Sequence, residues 1–464
     1  MRCLVHFSRP CLLLLRILVV VVIATTTINA MSMTNAVVPS PKVAVIGAGA
    51  AGLAVARVMQ RAGLDQVLVL EKDKEIGGVW NYQAAAADRP MYQGLRTNLP
   101  KEVMGYREFP FPKRFPKSFV THSQVLDYLK NYREHFNLQV VYGCTVNKLR
   151  VLQDQVSCVA HSSGDEPWPK IELEWMDQQS QQNKKGVFDA VYVANGHYSL
   201  PQVPPIPGIE HFQGKAFHSI EYDSPAEFKG KRVLCIGGRA SGADIAREMI
   251  LSGAEHVFLS DTAKTDGTVE TLGTQSSWVP RTTAIRPDGS CEFDLDCEIH
   301  PQVDVIVYCT GYDYHFPFID QDSNLKLTAQ NRRVEPLYEQ LWHAVYPNVA
   351  FIGLPHSVVP FPLFELQAEA CLEQMAKCTL PDRAQRMEHA DKAVGGEGME
   401  NGRVADTHYL GGKQWDYGRR MAKYASVYNE KVEAFLTTNQ VRDCEMITTC
   451  ESRRNNGFHP DLDF

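Results

Sequence analysis

KVAVIGAGAAGLAVARVMQRAG, Lys42 to Gly63, is followed at once by QVLVLEK, Gln66 to Lys72. The apolar run VAVI predicts a buried strand, GAGAAG a tight turn, the next residues a helix, and QVLVLEK a second parallel strand. Each glycine has its own task. Gly47 permits the sharp turn, Gly49 lets the backbone approach a diphosphate, and Gly52 lets the helix pack close to the sheet. Glu71 closes the second strand 19 residues after Gly52, where an acid accepts hydrogen bonds from a ribose diol. This module is therefore expected to hold the adenosine half of a flavin dinucleotide. GGVW, Gly77 to Trp80, adds a flexible turn at the same nucleotide edge through Gly78 and Trp80.

The pattern returns about 190 residues later in VLCIGGRASGADIAREMILSGAEHVFLS, Val233 to Ser260. Gly237 and Gly242 stand where the first and last fingerprint glycines belong, and Ser241 sits beside them. Arg239 occupies the middle position, where a side chain crowds a diphosphate unless Gly238 takes over the close approach. After this module's second strand come Ser260, Asp261 and Lys264. Serine and lysine suit a 2′-phosphate, whereas an acid suits a free ribose diol, so the segment signals both; Lys264 tips the reading toward NADPH. Two such turns in one chain imply two nucleotides meeting at a module interface, with hydride passing from a pyridine dinucleotide to a flavin.

The chain has 464 residues, 44% apolar and 22% charged, with a net charge of -7. That length accommodates two to three domains, and no stretch offers the basic footprint of a nucleic-acid site. The order of strands and breakers predicts an α/β protein with two nested Rossmann-like domains. A first part of the FAD domain spans 41–208, an NADPH domain 209–309, a second FAD part 310–434, and a polar tail 435–464. The chain crosses between domains at Pro201 to Gly208. HSQVLDYLKNYREHFNL from His122 reads as a packing helix, VIVYC from Val305 as another buried strand, and Gln367 as the start of a helix's polar side.

Residues 1–30 carry Arg2 and Arg9, the apolar CLLLLRILVVVVIA, and Ala30. This pattern reads as a secretory signal, with an uncleaved anchor or a start at Met31 or Met33 as the other readings. A secreted product, an endoplasmic-reticulum anchor and a cytoplasmic protein correspond to the three. No C-terminal membrane tail is expected. Twelve cysteines include no CxxC pair, so neither a redox-active dithiol nor a metal site has its usual spacing. Cys144, Cys158, Cys291, Cys297, Cys444 and Cys450 remain open to pairing in a secreted protein, and a homo-oligomer is left open as well. Asn98, before Leu-Pro, has turn composition on its own.

Between the two turns lies FQGKAFHSIEY, which fits the motif F-x-G-x-x-x-H-x-x-x-[YFW] at Phe212, Gly214, His218 and Tyr222. With GAGAAGL, EKDKEIGGVW, TNLPKEVMGY, VANGHYSLPQVPPIPG, YCTGYDYHFPF and FPLFELQ, the chain from about Lys42 to Tyr424 resembles the flavin-containing monooxygenases of the class B flavoprotein type. Within that family it looks most like the insect enzymes that include senecionine N-oxygenases. The resemblance implies that NADPH reduces FAD, that O2 is held as a C4a-hydroperoxide, and that a soft nitrogen or sulfur nucleophile takes the distal oxygen. The substrate is then a small amine or sulfide, and a tertiary amine such as a pyrrolizidine alkaloid becomes its N-oxide. The resemblance also assigns roles to residues. Gly47, Gly49, Gly52 and Glu71 hold FAD; Gly237, Ser241 and Gly242 receive the NADPH diphosphate; Asn98 acts beside the flavin and nicotinamide; His218 and Tyr222 stabilise the junction between modules. Arg239 and Asp261 depart from the family's pattern, in which a small residue and often an arginine stand, and both bear on cofactor selectivity. A Baeyer-Villiger oxygenase, an oxidase-like relative and a non-catalytic relative are the alternatives. A disulfide reductase lacks its dithiol here.

Overall fold

A computed structural model describes residues 40–84, 89–162, 164–330, 332–394, 406–427 and 429–455. The leader and its readings lie outside these residues, as do the side chains of Cys444 and Cys450.

Two six-stranded sheets carry the two glycine turns. The first runs in the order Leu337–Tyr338, Trp342–His343, Val349–Phe351, Ala190–Val193, Val43–Ile46, Val67–Leu70. Its last four strands are parallel, and its first two pair antiparallel. The second runs Glu270–Thr271, Ser276–Val279, His256–Ser260, Arg232–Ile236, Val305–Tyr308, Lys215–His218, all parallel save the short Glu270–Thr271 edge. Because every strand of the second sheet falls between strands of the first in the chain, the second module is nested within the first.

Parallel strands are covered on both faces, so their apolar residues serve two cores. In Val43–Ile46, Val43 and Val45 join the core beneath helices Ala50–Arg61 and Pro360–Lys377. Ala44 and Ile46 join the opposite core. That second core is closed by a three-stranded antiparallel sheet, Cys144–Val156, Pro169–Asp177 and Gln182–Phe188, through Leu149, Ile171 and Leu173. The same alternation divides Arg232–Ile236. Val233 and Cys235 face helix Ala240–Leu251 through Ile245 and Met249, while Leu234 and Ile236 face Ile285 and Phe293. Each fully buried valine or leucine contributes about 1.5–3 kcal/mol, and this two-sided burial fixes where each strand ends. Helix His122–His135 starts at Thr121, whose hydroxyl accepts the Gln124 amide at 3.3 Å while Gln124 accepts the Thr121 amide at 3.0 Å.

Three expectations need correction or completion. Residues 435–455 are not a tail: helix Glu430–Asn455 begins before them, and Val432 and Leu436, one turn apart, dock on the first core. Gln367 does not open a polar face. It is fully buried, accepts the Gly353 amide at 2.9 Å and donates to the Tyr417 hydroxyl at 2.9 Å, because its helix is enclosed nearly all round. Cys144, Cys291 and Cys297 are free thiols, and Cys158 is an exposed cysteine. Among the described residues no helix is long and apolar enough to cross a membrane.

Candidate active site

The first turn is built so that backbone, not side chain, lines its mouth. Gly47 has φ +101°, and a Cβ there falls 2.6 Å from the Ala194 carbonyl oxygen at the end of the neighbouring strand. A Cβ on Gly52 falls 1.9 Å from the Gly47 oxygen. These two glycines are required by the fold itself. Gly49 differs: its Cβ position is 3.5 Å from the Gly78 Cα, an ordinary contact, and a Cβ on Gly78 is 3.2 Å from the Gly49 Cα. Two bare backbones thus face each other at the start of helix Ala50–Arg61, which has no side-chain cap and no acid in its first turn. Its orphan amides and the positive end of its dipole make a cradle for a diphosphate. Trp80 follows on the single turn Gly78–Trp80, partly buried against the first core.

Glu71 is 4% exposed. One carboxylate oxygen accepts the Ala48 amide at 2.6 Å and the other the Asp73 amide at 3.0 Å. Burial raises its pKa above the usual carboxylate range, against the pull of those two amides. The acid therefore pins the glycine turn as well as offering its remaining lone pairs to a ribose diol.

The second turn repeats this geometry. Gly47 donates to Leu70 O at 2.8 Å, and Gly237 donates to Ser260 O at 2.8 Å. A Cβ on Gly237 falls 2.5 Å from Cys309 O, and one on Gly242 falls 1.8 Å from Gly237 O. Helix Ala240–Leu251 likewise has neither side-chain cap nor acid in its first turn. Ser241 is exposed on that turn. Arg239 projects outward, 61% exposed, with its guanidinium 4.0 Å from Asp406. Both turns fit the nucleotides expected of them.

Lys264 does not join this site. It is 7% exposed, and its ammonium is bound to Asp266 at 3.0 Å and Thr268 at 3.1 Å, over the Trp278 ring at 5.2 Å. Ser260 is also withdrawn, donating to Pro280 O and accepting the Thr282 amide, each at 2.9 Å. Burying an ammonium requires such partners, so the loop that follows the strand consumes its own lysine.

The four motif residues pack on the second module, and among them Tyr222 meets a ring from the preceding segment. A Cβ on Gly214 falls 2.2 Å from Asp304 O. Phe212 packs on the Leu234 and Ile236 side of the second sheet. His218 Nδ1 accepts the Ile220 amide at 3.1 Å and its Nε2 is 3.0 Å from Gly311 O. Tyr222 donates to Glu248 at 2.9 Å and meets the Tyr92 ring edge-on at 5.3 Å. Asn98 is exposed in the segment that leaves the second core at Leu95 and reaches the first at Leu99. It thus stands where the chain passes between the modules.

Sequence reasoning missed a histidine cluster. His197 and His408 flank the Tyr314 ring at 5.3 and 5.2 Å, and the His356 amide donates to His408 O at 2.9 Å. Burial pushes the His197 and His356 imidazoles down to about 4 and His408 to about 3, so all three are neutral near pH 7. His197 Nε2 is buried with no partner among the described residues. Arg332 lies beside Gly311, with a guanidinium nitrogen 3.5 Å from that glycine's Cβ position. These residues come from separate segments of the chain, and only VANGHY, as a strand terminus, pointed toward them.

Comparison with known proteins agrees with this geometry. The family model described as flavin-binding monooxygenase-like matches residues 40–270 and 281–446. The flavin-containing monooxygenase FMO GS-OX-like 2 of Arabidopsis thaliana is 36% identical over 372 residues, covering 75% of this chain and 77% of that protein. FMO GS-OX5 of the same plant is 35% identical over 404 residues, 82% of this chain and 84% of that one. The solved structure of S-allyl-L-cysteine S-oxygenase from Allium sativum aligns with a TM-score of 0.75 at 29% identity, over 90% of this chain and 99% of that one.

Proposed function

Because the chain belongs to the flavin-binding monooxygenase-like family, with FAD and NADPH as its cofactors, we propose that it oxygenates a soft nitrogen nucleophile, converting a tertiary amine such as a pyrrolizidine alkaloid to its N-oxide. The overall reaction joins the tertiary amine, O2, NADPH and a proton to give the amine N-oxide, NADP+ and water. Bound FAD supplies the redox chemistry that activates oxygen. The protein's own residues bind, orient and exclude water.

The observation that carries this reading is the paired geometry of the two turns, each an uncapped helix N-terminus behind bare glycine backbone. Gly49, Gly78 and the amides of the first helical turn receive the FAD diphosphate, and Glu71 accepts its ribose hydroxyls. Gly237, Gly238 and Ser241 offer the same to NADPH. The substrate lone pair makes the bond to oxygen, so the reaction needs no strong base from the protein. Neutral His197, His356 and His408 suit that requirement. Asn98, at the crossing between modules, is the polar side chain assigned to the reacting centre.

Sulfide oxygenation is the second reading, favoured by the likeness to a structure described as an S-allyl-L-cysteine S-oxygenase. Residues 1–30 support a further proposal, entry into the secretory pathway. Mass spectrometry of products from a panel of tertiary amines, sulfides and ketones decides among the chemistries. N-oxide formation is expected. Sulfoxide alone transfers the assignment to sulfur, ester formation from ketones alone overturns heteroatom oxygenation, and hydrogen peroxide as the sole oxygen product marks an oxidase.

A further inference from the structure

Position 238 stands to Asp261 as position 48 stands to Glu71. Each acid is the first residue after its module's second strand, Val67–Leu70 or His256–Ser260, and each turns its carboxylate back onto its glycine turn. Glu71 reaches the Ala48 amide at 2.6 Å. Asp261 Oδ2 lies 2.3 Å from the place a Cβ on Gly238 would take. The surrounding frame matches as well, since Ala194 donates to Ile46 O at 2.9 Å and Cys309 donates to Ile236 O at 2.8 Å. Asp261 and Gly238 are thus mutually dependent: the acid fills the space that any larger residue at 238 would need.

The carboxylate is fixed and still has an acceptor to spare. Oδ1 accepts the Ala263 amide at 3.0 Å, whereas Oδ2 has no protein partner among the described residues. Three groups that would welcome a 2′-phosphate are committed elsewhere. Ser260 binds Pro280 and Thr282, Lys264 binds Asp266 and Thr268, and Arg281, between Pro280 and Thr282, pairs with Asp294 at 2.8 Å. A phosphate dianion set beside Asp261 meets like charge, while a ribose diol donates to it.

We propose that Asp261 opens the second nucleotide site to NADH alongside NADPH, by accepting the hydroxyls of an unphosphorylated adenosine ribose. The inference rests on the reading of the second turn as the pyridine-nucleotide site. It makes Asp261 the residue that sets how strongly this chain discriminates between the two reductants.

The test is equilibrium titration of the FAD-loaded full chain with NAD+ and with NADP+, followed by calorimetry or flavin fluorescence, in the natural protein and in Asp261→Asn. The natural protein is expected to bind the two with dissociation constants within about tenfold of each other, and Asp261→Asn to shift their ratio about tenfold or more toward NADP+, the worth of one charge-assisted hydrogen bond. Flavin content confirms that the variant is folded, and Asp261→Ser replaces it if it is not. Overturning results are a preference for NADP+ above about a hundredfold in the natural protein, or an unchanged ratio in the folded variant. A flavin-loaded protein that binds neither dinucleotide removes the nucleotide reading of the second turn itself, and this proposal with it.

Discussion

His218 Nε2 donates to the Gly311 carbonyl oxygen across 3.0 Å, while its Nδ1 accepts the Ile220 amide at 3.1 Å. Nε2 thereby ties the end of strand Lys215–His218 to the turn that follows its neighbour Val305–Tyr308, and Nδ1 caps the single turn Ser219–Glu221. A ring so committed has no proton to trade, and burial lowers its pKa further. His218→Ala is expected to cost about 1–3 kcal/mol through two unsatisfied backbone groups. Chemical denaturation reads that loss, and NADP+ affinity should fall while the flavin-to-protein ratio is held.

The glycines separate into fold and ligand classes. Gly52→Ala drives a methyl to 1.9 Å from Gly47 O, so the apoprotein is expected to lose about 3 kcal/mol or more. Gly49→Ala meets only an ordinary 3.5 Å contact. Its apoprotein is expected to melt within a few degrees of the natural one, about 1 kcal/mol or less, yet to hold FAD at least tenfold more weakly because the methyl occupies the diphosphate's approach. Apoprotein melting curves and flavin absorbance per chain separate the two effects.

Glu365 gives a pH dependence with a definite sign. Burial lifts its pKa to about 7, although Arg107 approaches it at 3.3 Å, because that guanidinium is shared with Glu369 at 2.5 Å. Between the ordinary carboxylate value and pH 7 the folded protein keeps a proton that the unfolded chain releases. Glu365 therefore adds stability as pH falls through 7, and that stability is lost as pH rises through it. Glu365→Gln keeps an acceptor for the Arg107 amide and removes the titration. Relative to the natural protein it should gain on the order of 1–3 kcal/mol between about pH 4.5 and pH 7.5, the window between the two pKa values, read as the difference in melting temperature across that range. The buried His197, His356 and His408 act in the opposite direction only below the ordinary histidine pKa.

Local chemistry made both nucleotide modules legible, because Gly47, Gly52, Gly237 and Gly242 are demanded by contacts within about thirty residues of themselves or by one neighbouring strand end. What escaped was set by tertiary company. Gln367 looks polar in sequence, but its partners Gly353 and Tyr417 come from a preceding strand end and a later helix. Val432 and Leu436 look too sparse for a docking helix until the first core offers them a surface. The histidine cluster assembles from residues 197, 356 and 408, which no spacing rule connects.

Lys264 illustrates the same limit and is open to test. Its ammonium is enclosed by Asp266, Thr268, Glu270 and the Trp278 face. Lys264→Met keeps the length of the stem and removes the charge. It should destabilise the protein by about 1–3 kcal/mol while leaving the NADP+ to NAD+ affinity ratio within about twofold. A rise of about tenfold or more in the NADP+ dissociation constant alone would show that the lysine leaves this enclosure to meet the 2′-phosphate.

Asn98 lies where the chain crosses from the second core to the first. The chain passes from Tyr92 and Leu95, packed on the second core, to Leu99, packed on the first, and exposes Asn98 between them. The Thr97 amide is held by Val120 O at 2.9 Å and the Gly94 backbone lies against Glu248, so the segment is fixed on both sides of the asparagine. An amide placed there offers two donors and an acceptor where the chain passes between the modules. Removing it should leave both binding sites intact but loosen control of the reacting centre. Asn98→Ala is therefore expected to retain FAD and to bind NADP+ within about threefold of the natural protein, a change under 1 kcal/mol, while a larger share of NADPH is consumed without product. Parallel assays of NADPH oxidation, hydrogen peroxide and oxygenated product measure that share. Unchanged coupling removes Asn98 from the reacting centre and leaves the two nucleotide sites as they stand.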